Sequence, residues 1–327
     1  MHALITLLAL FFDAALGYPQ WLFGAIGHPV SWIGRLIARC DAAWNGKGRG
    51  KGRSAAVRRR NGVAMLLLCL GVALAATLGA QGLALWLLPS WAALLLLGLL
   101  ASSLLAQRSL NDHVAAVAHA LETGTLKDAQ GAVSQIVGRD PHSLDAHAIG
   151  RAAIESLAEN FSDGVTAPGF WMVIGGLPGA ALYKTINTAD SMVGHRSERH
   201  AAFGWASARL DDLVNLPASR LSALMLAGAA LLVPKASARG AIKAVFRDAK
   251  QHKSPNAGWP EAAMAGALGL KIAGPRMYDG VLVPDHWMGD GRASVEAADI
   301  RRALTLFRVA ALLQAALVAA IALPFVL

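Results

Sequence analysis

The sequence predicts an all-α, polytopic integral membrane protein with polar helical and loop segments on the cytoplasmic side. Three observations carry this. Hydrophobic residues make up 55% of the chain and charged residues only 16%, against about a quarter charged in soluble domains, and the mean hydropathy is +0.45. Uncharged runs of membrane-spanning length occur along the chain. The basic residues behind the net charge of +9 gather beside those runs, as the positive-inside bias requires. A nucleic-acid partner is therefore not expected, since that would need a basic face on a mostly soluble fold.

Residues 1–16 read as a first helix. The stretch is apolar, with no basic region before it and no small-residue cleavage site after it, so it is expected to be retained rather than removed as a signal peptide. Residues 17–61 read as a basic cytoplasmic loop, because Arg35, Arg39, Lys47, Arg49, Lys51, Arg53, Arg58, Arg59 and Arg60 are opposed only by Asp41. The N-terminus then faces outward. Within this loop the Gly/Lys/Arg tract 46–53 reads as a solvated or headgroup-facing segment. Residues 62–106 carry no charged side chain, too long a run for one span and suited to a hairpin of two helices of about twenty residues. Its turn falls near Gly79 to Gly82 or at Pro89-Ser90.

Residues 107–165 are polar with alanine and leucine at helical spacing, as surface helices are. Residues 166–234 hold two weaker apolar runs, 166–183 and 213–234, on either side of a polar site segment. The first contains Pro168, Gly169, Gly175, Gly176, Pro178 and Gly179, and it either spans or re-enters. Residues 235–302 read as a polar, Lys/Arg-rich cytoplasmic loop, and 303–327 as a terminal helix, preceded by Arg301 and Arg302 and apolar after Arg308 apart from Gln314 and Pro324. With both basic loops cytoplasmic, parity requires the two weak runs to span together or to fail together. The whole of 1–327 is expected to form a single membrane-embedded domain. Cys40 and Cys69 are too few for a disulfide framework.

Four polar clusters stand beside these runs, where such residues are costly unless paired or used. In the first, Asp13 near a helix end precedes Gly17-Tyr18-Pro19 and His28-Pro29-Val30; Asp13 either snorkels, pairs with an arginine or serves a site. In the second, Glu155, Glu159 and Asp163 fall at i, i+4 and i+8, so on a helix the two glutamates share a face that Asp163 roughly continues. Such a stripe is a solvated face or, beside a Pro/Gly-rich apolar segment, a place where magnesium balances the charge.

The third cluster alternates cations, acids and amides from Lys184 to Asn215. Lys184, Arg196 and Arg209 suit phosphate oxygens, and Asp190, Asp211 and Asp212 suit magnesium; a network of surface ion pairs has the same composition. In the fourth, His252 and Lys253 precede Ser254-Pro255-Asn256-Ala257-Gly258-Trp259-Pro260-Glu261, a turn into a helix whose N-terminus suits an anion, or an ordinary loop-to-helix junction. No phosphate-loop, dinucleotide, zinc-protease or nucleophile-elbow motif is present, so ATP would bind by another geometry.

Taken in order, Asp13, His28-Pro29-Val30, Glu155-Ser156-Leu157-Ala158-Glu159-Asn160, Asp163-Gly164-Val165, Asn187-Thr188, Asp190-Ser191-Met192-Val193-Gly194, Ala208-Arg209-Leu210-Asp211-Asp212 and Ser254-Pro255-Asn256-Ala257-Gly258 resemble the CobD/CbiB family of cobalamin-biosynthesis membrane proteins. His195 stands where that family's pattern has tyrosine, and the proline of Asn215-Leu216-Pro217 comes one residue early.

The resemblance implies amide ligation of adenosylcobyric acid, at its f propionate, with (R)-1-aminopropan-2-ol phosphate or aminopropanol. ATP supplies the energy and magnesium accompanies it; no group is covalently bound. Carboxylate activation of this kind ordinarily passes through an acyl phosphate held by cationic clamps. On this reading Lys184, Asp190, Arg196, Arg209 and His252 are catalytic, His252 as an acceptor for the amine's proton. Glu155, Glu159, Asp163, Asp211 and Asp212 are metal ligands, and Asp13, His28, Asn160, Asn187, Ser191, Asn256 and Glu261 contact substrate. Trp171 and Trp259 pack against the corrin or anchor at the membrane interface.

The expected location is the inner membrane, with lipid, the corrinoid and the amino alcohol phosphate as partners, and with self-association or contact with other corrinoid enzymes open. Two other classes compete: a non-catalytic sensor resembling the AmpE regulatory proteins, and a transporter with helices broken at Pro168 and Pro178. The strings Asp190-Ser191-Met192 and Pro255-Asn256-Ala257-Gly258 favour the enzyme.

Overall fold

The computed structural model describes residues 1–45, 54–138, 141–195, 197–278, 281–283 and 285–325. The tract 46–53 and Arg196 lie outside them. In chain order the helices are α1 (His2–Leu16), α2 (Gln20–Ile26), α3 (Pro29–Cys40), α4 (Ala55–Leu87), α5 (Ser90–Ser102), α6 (Gln107–Thr123), α7 (Leu126–Val133), α8 (Ala146–Phe161), α9 (Ala167–Val193), α10 (Trp205–Val214), α11 (Leu216–Ala229), α12 (Ala238–Asp248) and α13 (Gly258–Leu268), then α14 (Ala297–Ala322). Between the last two, β1 (Ile272–Ala273) pairs antiparallel with β4 (Trp287–Met288), and β2 (Arg276–Tyr278) with β3 (Val281–Val283).

The architecture is all-α and polytopic. Among the described residues, four helical stretches are long and apolar enough to cross a membrane: Ala55–Leu87, Ser90–Thr123, Ala146–Val193 and Ala297–Ala322. Helix α1 with Gln20–Asn45, bent by 107°, makes a fifth if the pair counts as one span. The hairpin turns at Leu88-Pro89, where Pro89 caps α5; Gly79 and Gly82 lie inside α4. Trp86 and Trp91 flank that turn and are exposed, as interface anchors are.

Three segments differ from expectation. The basic loop 17–61 contains α2 and α3, and the polar loop 235–302 contains α12, α13 and both strand pairs. Prolines, glycines and basic side chains obscure these helices in the sequence, while α13 is buried from Pro260 to Leu268 and so shows no amphipathic stripe. The two weak runs behave differently from each other. The first is part of α9, with non-helical backbone at Gly176 (φ 62°). The second is interrupted at Asn215, leaving α11 with 14 residues, about 21 Å of helix against a hydrocarbon core of about 30 Å.

The chain forms two compact units. Unit 1 holds Met1–Leu105, Ala167–Asn215 and Val318–Leu327. In it α9 is packed by α1, α3, α4 and α10, and Ile37, Cys40, Met65, Leu66, Cys69, Ala189, Val193 and Phe203 form one core cluster. A Cβ on Gly62 would stand 1.7 Å from the Phe203 carbonyl oxygen, so only glycine lets α4 approach the chain there. This packing fixes the C-terminal end of α9, where Asp190 sits.

Unit 2 holds Ala106–Thr166 and Leu216–Leu317, and α13 is packed by α8, α11 and α12. Between Phe161 and α9 runs a π-type turn, Ser162–Thr166. Gln314 of α14, buried, accepts from Thr166 Oγ1 at 3.1 Å and donates to the Val165 carbonyl at 3.3 Å. The polar interruption of the terminal apolar run thereby satisfies two polar groups of the widened turn, the Thr166 hydroxyl and the Val165 carbonyl.

Candidate functional site

In unit 1 the third sequence cluster folds back on itself. Helix α9 presents Lys184, Asn187, Asp190 and Ser191; after the turn at 194–204, α10 presents Arg209, Asp211 and Asp212. Two glycines make the turn possible. A Cβ on Gly204 would lie 1.6 Å from the Val193 carbonyl oxygen, and one on Gly194 would lie 1.8 Å from Asp190 Oδ1. The Asp190 carboxylate thus occupies the space that a side chain at 194 would need.

Asp211 is the centre of the cluster. Asn215 Nδ2 donates to its Oδ2 at 2.9 Å and Asn187 Nδ2 to its Oδ1 at 3.4 Å. Asn215 is itself held by the Tyr183 hydroxyl, which donates to Asn215 Oδ1 at 2.8 Å. Burial and then the neighbouring Asp190 push the Asp211 carboxyl up to about 7, against the two amide donors, and Asp212 adds to the rise. Asp212 stands nearer the surface with Arg209 Nη1 at 3.7 Å. Ser191 is exposed and donates to the Asn187 carbonyl at 2.9 Å, an ordinary bond within a helix.

Lys184 is half-buried and within electrostatic reach of His28. His28 caps α3, its Nδ1 accepting from Val30 N at 3.2 Å, with the Tyr18 ring edge-on at 4.4 Å. Asp13 is buried near the end of α1. A second polar group fastens the return segment: Arg199 pairs with Asp41, Asn45 donates to Asp41 Oδ1 at 2.9 Å and to the Arg199 carbonyl at 3.0 Å, and Arg58 donates to Asn45 Oδ1 at 3.1 Å. Sequence reasoning missed Tyr183 and Asn215 as supports of the site; the signal was a tyrosine and an asparagine standing at the ends of apolar runs.

In unit 2, Glu155 is half-buried and Glu159 exposed on α8, while Asp163 lies in the π-type turn. The α-helical phase ends at Phe161, so the three-acid stripe does not continue through Asp163 as drawn from i+4 spacing. Asn160 donates to the Ser156 carbonyl at 2.9 Å and to its Oγ at 3.2 Å, and is engaged locally. His252 Nε2 stands 3.7 Å from Glu261 Oε1, and Glu261 is 1% exposed. His252 Nδ1 accepts from Ser254 N at 3.0 Å, and Asn256 is buried. Trp171 donates to the Val214 carbonyl at 3.0 Å in unit 1, and Trp259 in unit 2 lies under the Arg220 guanidinium.

The expected metal ligands divide between the units, Asp211 and Asp212 in the first and Glu155, Glu159 and Asp163 in the second. Among the described residues no group of three or more His, Cys, Asp or Glu side chains is placed to hold a metal. Magnesium in nucleotide sites takes one or two carboxylates and completes its shell with water and phosphate oxygens. The electrostatically coupled Asp190 and Asp211 fit that donor set.

Residues 6–307 match the family described as CobD/Cbib protein. The cobalamin biosynthesis protein CobD of Rhodobacter capsulatus is 49% identical over 306 residues, covering 94% of this chain and 93% of that one. The protein of the same description from Rhizobium meliloti (strain 1021) is 48% identical over 334 residues, covering 99% and 98%. That from Brucella suis biovar 1 (strain 1330) is 43% identical over 312 residues, covering 93% and 92%. No solved structure matches. With the family match running almost from end to end and relatives of this identity sharing nearly their full length, the chain belongs to the CobD/CbiB family of cobalamin-biosynthesis proteins.

Proposed function

We propose that this chain is a ligase that uses ATP to join adenosylcobyric acid to (R)-1-aminopropan-2-ol phosphate, or to aminopropanol, through an amide. The observation that supports it most is the pair Asp190 and Asp211: both half-buried, with the Asp211 carboxyl raised to about 7 by burial and by Asp190, and with no cationic side chain among the described residues opposing that rise. A structural ion pair does the opposite to a carboxyl, so this pair has the electrostatics of a site that receives positive charge.

In this reading Asp190 and Asp211 hold the magnesium that accompanies ATP, which when bound offsets phosphate charge. Asn187 and Asn215 fix the Asp211 carboxylate, and Gly194 leaves room for that of Asp190. Lys184, Arg196 and Arg209 bind phosphate oxygens. The f propionate attacks the terminal phosphorus of ATP, ADP leaves, and the amine displaces phosphate from the acyl carbon. The amine's proton goes to a carboxylate.

Purified protein in lipid nanodiscs, given adenosylcobyric acid, aminopropanol phosphate and Mg-ATP, is expected to form the amide; folded protein that forms none contradicts the reading. The substrates are cytosolic, so 184–212 is expected to be reachable from the cytoplasm. Labelling of Ser197→Cys by an impermeant reagent from outside the cell, in a chain without Cys40 and Cys69, would contradict that placement.

A further inference from the structure

The turn before α13 is a cradle for a guanidinium. Arg220, on α11, donates through Nη1 to Asn256 Oδ1 at 2.8 Å, to Ser219 Oγ at 2.9 Å and to the Leu216 carbonyl at 3.3 Å. Its guanidinium carbon stands 4.4 Å from the centre of the Trp259 ring. Asn256 and Ser219 are buried, and Ser219 Oγ also donates to Asn256 Oδ1 at 3.1 Å. A guanidinium carries five N–H donors in a rigid fork. Nη1 makes all three bonds, so the donors of Nε and Nη2 take no part in seating the side chain.

The charge is seated but not neutralised. Among the described residues no carboxylate pairs with Arg220, whereas in the same unit Arg247 pairs with Asp248 at 2.7 Å and both Arg292 and Arg302 pair with Asp299, at 2.6 and 3.4 Å. Burial draws the Arg220 pKa below the usual guanidinium value, and no acid opposes it. The helix end beside it is partly occupied, since Asn256 N and Ala257 N donate to Ser254 Oγ at 3.2 and 3.3 Å. Anion recognition at this turn therefore falls to the arginine more than to the start of α13. A stacked, oriented guanidinium with a free edge is the arrangement that binds phosphate in two-point fashion.

We propose that Arg220, seated on Trp259 and Asn256, binds a phosphate group of a substrate through its Nε and Nη2 edge. The proposal rests on the ligase reading only for which phosphate compounds are tried. The full chain in nanodiscs is titrated calorimetrically with (R)-1-aminopropan-2-ol phosphate, with unphosphorylated aminopropanol and with ATP, as wild type, Arg220→Gln and Arg220→Lys, and KM and kcat are measured beside them. Arg220→Gln is expected to weaken one phosphate compound by about tenfold or more, seen in KM more than in kcat, with aminopropanol unaffected. Arg220→Lys recovers part of the loss by keeping the charge without the fork. Loss confined to the amino alcohol phosphate assigns its phosphate to Arg220, and loss confined to ATP assigns the nucleotide's. Equal affinities in wild type and Arg220→Gln, no phosphate binding by wild type, or an equal loss for aminopropanol would overturn the proposal. Wild type that binds these phosphates but forms no amide would remove the ligase reading and leave this one standing.

Discussion

Asp248 in unit 2 and Asp211 in unit 1 meet the cost of burying a carboxylate in opposite ways. Asp248, 2% exposed at the end of α12, receives Arg247 at 2.7 Å, the Gly289 N–H at 2.8 Å and His286 Nε2 at 3.6 Å. Burial alone would raise its carboxyl, but these partners outweigh it and hold the pKa below the ordinary value. Asp211 meets two amides and two further acids, and its carboxyl is pushed up to about 7 by burial and by Asp190. The first aspartate is a tie between α12 and the chain beside β4. At the second, no cationic side chain among the described residues opposes the rise, the electrostatic difference expected between a site that receives positive charge and a strut.

The largest effect expected from this contrast is on turnover. Asp190→Asn and Asp211→Asn should each reduce amide formation by at least about 100-fold, the scale of losing one electrostatic partner of the reacting charge, with insertion and yield unchanged. Asp212→Asn should retain more activity, because Asp212 already pairs with Arg209 near the surface.

Next comes stability. Asp248→Asn leaves Arg247 without its buried partner and should cost about 3 kcal/mol at pH 7, at the lower end for a broken buried pair because Arg247 also meets Asp290. Since the folded pKa of Asp248 is depressed, its contribution is present above the unfolded value of 3.8 and lost as pH falls through the folded one. Unfolding of wild type and variant should therefore converge in acid.

Gly194→Ala should lower turnover about tenfold with a smaller loss of folded yield, since the new Cβ meets the movable Asp190 carboxylate at 1.8 Å first and the Asp190 carbonyl oxygen less closely, at 2.7 Å. Gly204→Ala drives into the backbone carbonyl of Val193 and should instead reduce folded yield. Smallest is Glu122→Gln, which breaks an exposed ion pair with Arg301 and should leave melting temperature and turnover within measurement scatter.

The same contrast explains what the sequence disclosed. The 62–106 hairpin and the terminal helix were legible because long uncharged runs have one physical explanation. Helix α13 was not, because an alanine-rich helix buried from Pro260 to Leu268 lacks the periodicity that marks an amphipathic one; α3 and α12 do carry an apolar face opposite their basic side chains, and were passed over because those basic residues were read as loop. Among site residues, Asp190 and Asp211 were legible as a pair of types, yet nothing in their spacing separated them from Asp212, whose carboxylate turns to Arg209. Glu155, Glu159 and Asp163 looked like one stripe because i+4 counting assumes an α-helix, and the chain widens to a π-type turn at Ser162. Arg220, three residues beyond Pro217, was passed over, since its isolation from carboxylates among the described residues is a tertiary fact.

The central claim is that Asp211 is kept half-buried beside acids for function and at a cost to the fold. Its folded pKa of about 7 lies above the unfolded 3.8, so its stability contribution is present below 3.8 and lost as pH rises through about 7. Melting temperature and amide formation should be measured together for wild type and Asp211→Asn in nanodiscs without added metal for melting, and with Mg-ATP for turnover, at pH 5 and pH 8. The account predicts that the variant melts higher than wild type by a margin larger at pH 8 than at pH 5, and that its amide formation is reduced at least about 100-fold at both. A variant that turns over near the wild-type rate, or that melts lower than wild type at pH 8, would contradict it.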